Sequence, residues 1–453
     1  MTVANADATA KPLGYITFSI AKFFKITVPP KSWNATLSYS ANTIKWYEIT
    51  ASAGTTIAAN YTNGAYKLYF RGTGNSRISS GYYSSRWTID ADPGTVACSG
   101  NIETLLDHAT VTAGAHPAMT TNCFSYLFRY CTALSSAPAL PATTLADFCY
   151  NGMFADCTAL TDAPALPATT LAESCYEGMF AECTRLTNAP ALPATTLAES
   201  CYEGMFAECT GLTNAPALPA TTLAAGCYGS MFIGCRGLTH APALPATTLA
   251  AGCYGSMFIG CRGLTHAPTL PATTLAEGCY SSMFDGCTAL TRVPELPATT
   301  LAMDCYMEMF YGCTGIKLNT EGPGMPWSIP ANANAAGATD WNLGMFAGTG
   351  GTFQGDPAIG VTYYLASGLP AAPAFAADGE GFVVGDGTAT IKIDNAESGV
   401  WYTVYRVDDL TQTNWVKIGD SIQATGSEVI FTIPRDPTVP RRFFKVVASF
   451  TAP

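Results

Sequence analysis

Residues 175–200 read CYEGMFAECTRLTNAPALPATTLAES, and residues 201–226 read CYEGMFAECTGLTNAPALPATTLAAG, which differs at three positions. The first cysteine of this unit recurs every 26 residues from Cys123 to Cys305, and a second cysteine follows eight residues after it in each copy. A phenylalanine keeps the same step from Phe128 to Phe310. Self-similarity at such a period is typical of solenoids, in which stacked units bury one continuous core. The sequence therefore predicts eight stacked 26-residue coils.

Degenerate sequence marks both ends of the repeats. The segment WNLGMFAGT, residues 341–349, keeps the methionine and phenylalanine but has Trp341 and Thr349 at the two cysteine positions. It is predicted to be a capping coil, because a terminal unit has one face without a neighbour. Before the first coil, Ile102, Leu105 and Leu106 lie at helical spacing, so residues 98–122 are predicted to form an N-terminal cap. The solenoid is placed at 123–350.

Alternating apolar and polar residues predict a β domain on each side of the repeats. Residues 1–97 contain runs such as YITFSI and AYKLYFRG, separated by Pro, Gly and Asn. Residues 372–453 contain TATIKI, WYTVYRV and EVIFTI. Five or more short strands in about 80 residues are typical of an immunoglobulin-like β-sandwich. Residues 351–371 are predicted to be a linker between the capping coil and this domain.

Charge is unevenly distributed along the 453 residues, whose net charge is −11. Residues 1–100 carry 4 acidic and 9 basic residues, whereas residues 101–370 carry 19 acidic and 6 basic ones. An acidic middle disfavours nucleic acid as a partner, since phosphate backbones are bound by basic surfaces. No run of about 18 apolar residues is present, so no membrane span is expected. The first residues show no secretory leader.

The paired cysteines can be interpreted in three ways. Zinc is disfavoured, because the spacing is C-x7-C and no histidine follows at ligand distance. Disulfides along the stack would have to join the coils in pairs, although nothing in the identical units distinguishes one neighbour from the other. Cys98 would also remain without a partner. The favoured interpretation is a column of free, buried thiols that behave as small apolar side chains. No metal and no cofactor is predicted.

The repeated motif C-x-x-L-T-x-x-P-x-L-P-A-T-T-L-A-x-x-C-Y-x-x-M-F-x-x-C resembles the BspA-like leucine-rich repeats of bacterial surface proteins. The resemblance covers residues 123–350. It implies a mainly β fold with short helical turns: an arc-shaped leucine-rich-repeat solenoid, here flanked by two β-sandwich-like domains. It also implies adhesion to host proteins or cells. A proline in each copy, such as Pro190, removes a ladder donor and predicts short strands in place of a full-width parallel sheet.

Positions that vary between near-identical copies are the candidates for recognition. One column falls in the predicted strand and is expected on the inner surface that leucine-rich repeats present to ligands. A second column is alanine in the early copies and changes to Thr269 and Glu295 in later ones. Neutral drift on a solvent-facing surface remains an alternative. The first column consists of Asp162, Asn188, Asn214, His240, His266 and Arg292.

Two further columns invite a functional interpretation. A tyrosine follows the first cysteine in seven copies, where it could form an aromatic strip for sugars or simply pack between the coils. The threonine pair of PATTL also recurs seven times. Since neighbours in a strand point to opposite faces, one threonine of each pair is expected to face outward. A flat ice-binding face of two threonine files is therefore not predicted.

The predicted function is a non-enzymatic one, since no nucleophile–base arrangement or phosphate loop is present. The chain is expected to be a bacterial surface adhesin or receptor-binding protein, extracellular or at the cell surface, whose ligand is a host or cell-surface protein or glycan. A homo-oligomer through a terminal β domain is also considered. The alternative is a structural or receptor-binding component of a phage tail or contractile injection particle, which the missing leader and free thiols favour.

Overall fold

The computed structural model describes residues 14–50, 54–322 and 324–366, together with six strands between residues 382 and 449. The chain divides into two units, residues 1–320 with 326–365 and residues 321–325 with 366–453. As predicted, the described part is mainly β, with nineteen strands, one α-helix and one short 3-10 helix. In the repeats, most of the backbone forms hydrogen-bonded turns.

Dense backbone hydrogen bonds join each repeat to the next through its turn segment, which we define as the ten residues that end at the second cysteine. In the third copy this segment is 174–183. The N–H groups of Ser174, Tyr176, Gly178, Phe180 and Glu182 donate to carbonyl oxygens 25 residues further along the chain, at N···O distances of 2.7–3.0 Å. The N–H groups between them donate to the carbonyl three residues back. Every N–H of the segment therefore has a partner.

The turn segment owes its shape to a left-handed residue at every fourth position. In the third copy these residues are Ser174, Gly178 and Glu182, with φ of 49°, 56° and 60°. The same three positions have positive φ in all nine copies, including Asp340, whose φ is 51°. Glycine adopts this conformation without a Cβ clash, which explains why glycine recurs at these positions.

Identical side chains stack along the repeats. The phenylalanine rings form a continuous column from Phe128 to Phe346, with centroids 5.3–5.8 Å apart. The tyrosines from Tyr150 to Tyr306 form a parallel column at 5.8–6.0 Å. These tyrosines are about 1% exposed. They pack between the repeats and offer no aromatic strip to sugars.

The rest of each repeat, which we call the face segment (184–199 in the third copy), is paired far more sparsely. Neighbouring copies meet through single bridges, such as Asp162 with Asn188 and Thr196 with Thr222. The leucines of this segment are buried, but both Thr195 and Thr196 are exposed. The prediction of one outward threonine is therefore wrong, because strand alternation does not hold where the pairing is limited to isolated bridges.

Nine strands precede the repeats. One sheet has the order β10-β9-β1-β7-β3-β4, with β6 also pairing with β7, and a second sheet has the order β5-β2-β8. All strand pairs are antiparallel except β9 with β10, which is parallel. Strand β10 lies inside the first repeat. The strands are β1 Ile16–Ile20, β2 Lys25–Val28, β3 Thr36–Ser40, β4 Tyr47–Glu48, β5 Thr55–Ala58, β6 Asn60–Thr62, β7 Ala65–Thr73, β8 Thr88–Asp90, β9 Val96–Ser99 and β10 Leu134–Ser136.

The N-terminal sheet closes one end of the phenylalanine column. Trp87 is fully buried, and its ring lies 6.0 Å from that of Phe128. The backbone N–H of Trp87 donates to Leu127 O, and its backbone carbonyl accepts from the Cys131 thiol, just as Phe128 O accepts from Cys157. Trp87 thus takes the place of a phenylalanine of a preceding coil. Helix α1, Thr104–Thr112, lies within the segment where the sequence predicts a cap.

The degenerate coil closes the other end of the column. Tyr306 N–H donates to Trp341 O and Phe310 N–H donates to Met345 O, so the ladder continues across the ten-residue insertion. Beyond Phe346, the rings of Phe353 and Tyr363 stand 4.3 Å apart, within the segment predicted to be a linker. Three short strands pair in the order β11-β13-β12. They are β11 Leu318–Asn319, β12 Met325–Trp327 and β13 Tyr363–Leu365.

The second unit contains six strands in two three-stranded antiparallel sheets, with the orders β14-β15-β18 and β17-β16-β19. Ile391, Val404, Val429 and Phe431 are buried in it. Residues 1–13 and 367–381, which include only the last five residues of the predicted linker, lie outside the described residues. The strands are β14 Phe382–Val384, β15 Thr388–Ile393, β16 Trp401–Val407, β17 Val416–Gln423, β18 Val429–Pro434 and β19 Phe443–Ser449.

Candidate functional site

The six variable residues of the first predicted column, which we call the face column, line up along the face segments. Single bridges connect Asp162 to Asn188, Asn214 to His240, and His240 to His266. Five of the six residues are exposed, and Arg292 is half-buried. The 26-residue period therefore brings residues far apart in sequence onto one continuous row.

Neighbouring side chains in the face column hold one another in place. Asn188 Nδ2 donates to Asp162 Oδ1 at 2.9 Å, and Asp162 Oδ2 accepts from the Thr161 hydroxyl at 3.0 Å. Asn214 Nδ2 donates to the hydroxyl of Thr213 at 3.2 Å. Exposed amides and carboxylates anchored in this way present hydrogen-bonding groups with reduced freedom, which lowers the entropic cost of binding.

The two histidines form a stacked pair. The rings of His240 and His266 are 6.2 Å apart at their centroids and inclined by 4°. Each Nδ1 lies 2.9 Å from the hydroxyl of the preceding residue, Thr239 or Thr265. Both rings are therefore oriented identically and display an aromatic edge to solvent. Among the residues that the structure describes, no group of three His, Cys, Asp or Glu side chains could hold a metal ion.

The second predicted column lines a groove beside the face column. A groove of about 470 Å³ is formed by the prolines and alanines of two successive copies. Ala191 and Ala217 belong to the second column, and Thr269 and Glu295 occupy the same exposed position further along. The groove itself is lined by small apolar side chains, and Thr269 and Glu295 belong to later copies outside this lining. Its lining consists of Ala189, Pro190, Ala191, Leu192, Pro193, Pro216, Ala217 and Pro219.

The cysteines are structural in every described copy. All seventeen are free and buried. From Cys157 to Cys313, the second thiol of each copy donates to the phenylalanine carbonyl of the preceding copy, at 3.0–3.1 Å. Burial raises the pKa of the Cys183 thiol to about 12. A protonated thiol is a poor nucleophile and a poor metal ligand, so these groups act as packing residues and hydrogen-bond donors.

The sequence identified the face column but missed the groove. The columns follow directly from the period, whereas the groove depends on how the repeated Pro-Ala-Leu-Pro backbone is spaced between copies. The signal available in the sequence was that repeat itself, which keeps Pro190 and Pro193 in register with Pro216 and Pro219.

No family model matches the chain. Neither the comparison with curated proteins nor the comparison with solved structures gives a match. In the described part of the chain, no helix is long and apolar enough to cross a membrane.

Proposed function

We propose that the chain is a non-enzymatic bacterial surface adhesin or receptor-binding protein. In this proposal the repeats form a leucine-rich-repeat solenoid of the BspA-like kind, and the face column with its groove binds a host or cell-surface protein or glycan. The observation that carries the proposal is the contrast within each repeat: the stacked core is constant, while the exposed row changes from Asp162 through Asn188 to His240.

The separation of core and face supports a recognition role. The side chains of Asn188, His240 and Glu295 are exposed, so their replacement removes no core contact. Surface substitutions of this kind usually change stability by less than about 0.5 kcal/mol. A surface that varies at so low a cost in folding can be adapted to a ligand without redesign of the core.

A binding experiment on the full chain tests this proposal. Wild type is compared with a face variant in which Asn188, His240, His266, Arg292 and Glu295 are all alanine. Both are applied to a panel of extracellular-matrix proteins, glycans and bacterial cells. We expect at least a tenfold loss of binding in the face variant, with an unchanged circular dichroism spectrum.

A control variant separates the face from general surface effects. It carries alanine at five exposed charges of the face segments that do not belong to the face column, namely Glu173, Arg185, Glu199, Arg262 and Glu277. This variant should bind as wild type does. Equal binding by wild type and the face variant would refute the assignment of the face column.

A second candidate is a component of a phage tail or contractile injection particle. It is favoured by the state of the cysteines, all of which are free and buried, because proteins that keep many thiols reduced are typical of reducing compartments. Alkylation in denaturant, followed by mass spectrometry of the natively expressed protein, tests it. Seventeen alkylated cysteines support this candidate, and several disulfides contradict it.

A further inference from the structure

A second concave site lies at the start of the repeats, away from the face column. It has a volume of about 310 Å³. It forms where the loop before the 3-10 helix Tyr83–Ser85 meets the turn segments of the first three copies. We call it the tyrosine pocket, and its lining consists of Gly81, Asn122, Tyr126, Phe148, Asn151 and Glu177.

The first copy departs from the repeat pattern at this pocket. The position of Tyr126 is glycine in the next three copies and serine in the three after them. Tyr126 adopts φ of 57°, a left-handed conformation that costs a bulky residue roughly 1–2 kcal/mol. Ser230 and Glu308 adopt the same conformation at this position in other copies, so what distinguishes the first copy is its aromatic side chain.

The neighbouring copy makes room for the Tyr126 ring. A Cβ atom on Gly152 would lie 2.5 Å from Tyr126 Cδ1 and Cε1, so the ring lies directly against this glycine. A Cβ atom on Gly81 would likewise lie 2.6 Å from the side chain of Asn122. Two walls of the pocket therefore depend on residues without a side chain.

An aromatic cluster, which we call the rim, adjoins the pocket through Tyr126. The rings of Tyr83 and Tyr126 lie 4.7 Å apart, and the Arg129 guanidinium lies 4.6 Å from the centroid of Tyr83 and 4.8 Å from that of Tyr130. Tyr82 is 72% exposed, Tyr83 54% and Tyr130 48%. Three large exposed aromatic side chains in one place form an unusual surface, and such surfaces mark binding sites.

Charge inside the pocket argues against an anionic ligand. The one charged group in its lining is Glu177. Burial raises the pKa of the Glu177 carboxyl, and the neighbouring charge of Glu203 raises it further. Hydrogen bonds with Ser174 and Asn151 lower this pKa but do not outweigh the burial. On the rim, Arg129 Nε donates to Asp156 Oδ2 at 3.3 Å, so its charge is already paired. A phosphate or sulfate would find no free cation within the pocket lining.

The remaining chemistry matches a sugar. Two amides, Asn122 and Asn151, offer donors and acceptors, and the carboxyl group of Glu177 offers further oxygens. Tyr126 supplies an aromatic wall with an apolar surface. A pyranose ring presents hydroxyl groups around its edge and an apolar C–H surface on its face, which is the complement of this lining.

We propose that the tyrosine pocket is a binding site for a neutral pyranose unit of a glycan, with the sugar ring against Tyr126 and its hydroxyls bonded to Asn122, Asn151 and Glu177. The site is independent of the face column and does not rest on the function proposed for it. One pocket at the first copy fits a single terminal or internal sugar and not a long chain laid along the repeats.

The test uses the full chain on an array of neutral, sialylated and sulfated oligosaccharides, followed by titration calorimetry with the neutral ones that bind. Tyr126→Gly removes the aromatic wall and places there the residue that the next three copies carry, and its circular dichroism spectrum should match that of wild type. We expect it to bind neutral glycans at least tenfold more weakly. Glu177→Gln should also weaken binding.

Tyr311→Ala is the matched control, because Tyr311 is an exposed tyrosine of the eighth copy at a position where the second to fourth copies have alanine. This control should bind neutral glycans normally, and the five-residue face variant should keep the neutral-glycan binding that Tyr126→Gly loses, whichever ligand the face column itself binds. The proposal is overturned if wild type binds no neutral glycan, if it binds only sialylated or sulfated ones, or if Tyr126→Gly binds as tightly as wild type.

Discussion

The turn segment and the face segment of each repeat contact the next copy in different ways. The turn segment of the third copy makes four backbone hydrogen bonds to the fourth copy and a fifth to Glu199, the residue just before it, and its cysteines, Tyr176, Met179 and Phe180 are fully buried or nearly so. The face segment meets its neighbours through isolated bridges and exposes most of its polar residues. If the face segment binds a ligand, as proposed above, stability and recognition are carried by separate stretches of sequence, and the face segment can change while the turn segment is kept.

The largest expected effect is a loss of stability at high pH, and it arises in the turn segment. Burial raises the pKa of Cys183 from 9.0 to about 12, and it raises that of Tyr176 well above 10.0. The folded state holds these protons more tightly than the unfolded state does, so their contribution to stability is complete below pH 9 and is lost as the pH rises beyond it. We expect the melting temperature to fall steeply above about pH 10.

Absorbance of tyrosinate provides the measurement. The seven column tyrosines should ionise only together with the loss of the circular dichroism signal. Ionisation of all tyrosines in a folded chain would show that the turn segments are open to solvent.

A cavity in the turn segment should have the next largest effect. Phe206 is fully buried, and its ring stacks on those of Phe180 and Phe232 at 5.8 and 5.7 Å. Phe206→Ala removes both contacts and should lower the free energy of unfolding by about 3–5 kcal/mol. Urea denaturation followed by circular dichroism measures this loss. A change of less than about 1 kcal/mol would mean that the column does not hold neighbouring copies together.

The left-handed positions allow a smaller and more specific test of the turn segment. Gly178 has φ of 56°, and a Cβ atom there would meet nothing within 4 Å. Gly178→Ala therefore isolates the backbone cost, and it should destabilise the chain by about 1–2 kcal/mol. The reverse change two copies later, Ser230→Gly at φ of 53°, should be neutral or slightly stabilising, because relief of strain is opposed by the greater entropy of unfolded glycine. An equal loss of the free energy of unfolding in both variants would show that the left-handed conformation does not favour glycine at these positions.

The sequence was sufficient for features that follow from the period, and insufficient for those that depend on backbone conformation. The phenylalanine column and the face column were predictable, since residues 26 apart must meet in any regular stack. The exposure of both Thr195 and Thr196 was not, because strand alternation was assumed. The role of Trp87 was also not predictable, since it lies outside the 26-residue step and only the folded N-terminal sheet brings it onto Phe128. Tyr126 did carry a readable signal, namely an aromatic residue where later copies have glycine.

The smallest expected effect concerns the face segment itself. Asn214→Ala and His240→Ala, made one at a time, should each change the free energy of unfolding by less than about 0.5 kcal/mol, because both side chains are exposed and solvent can replace their contacts with the hydroxyls of Thr213 and Thr239. The same urea titration that detects Phe206→Ala measures them. If either costs as much as Gly178→Ala, the face column helps to hold the repeats together, and its sequence is constrained by folding as well as by any ligand.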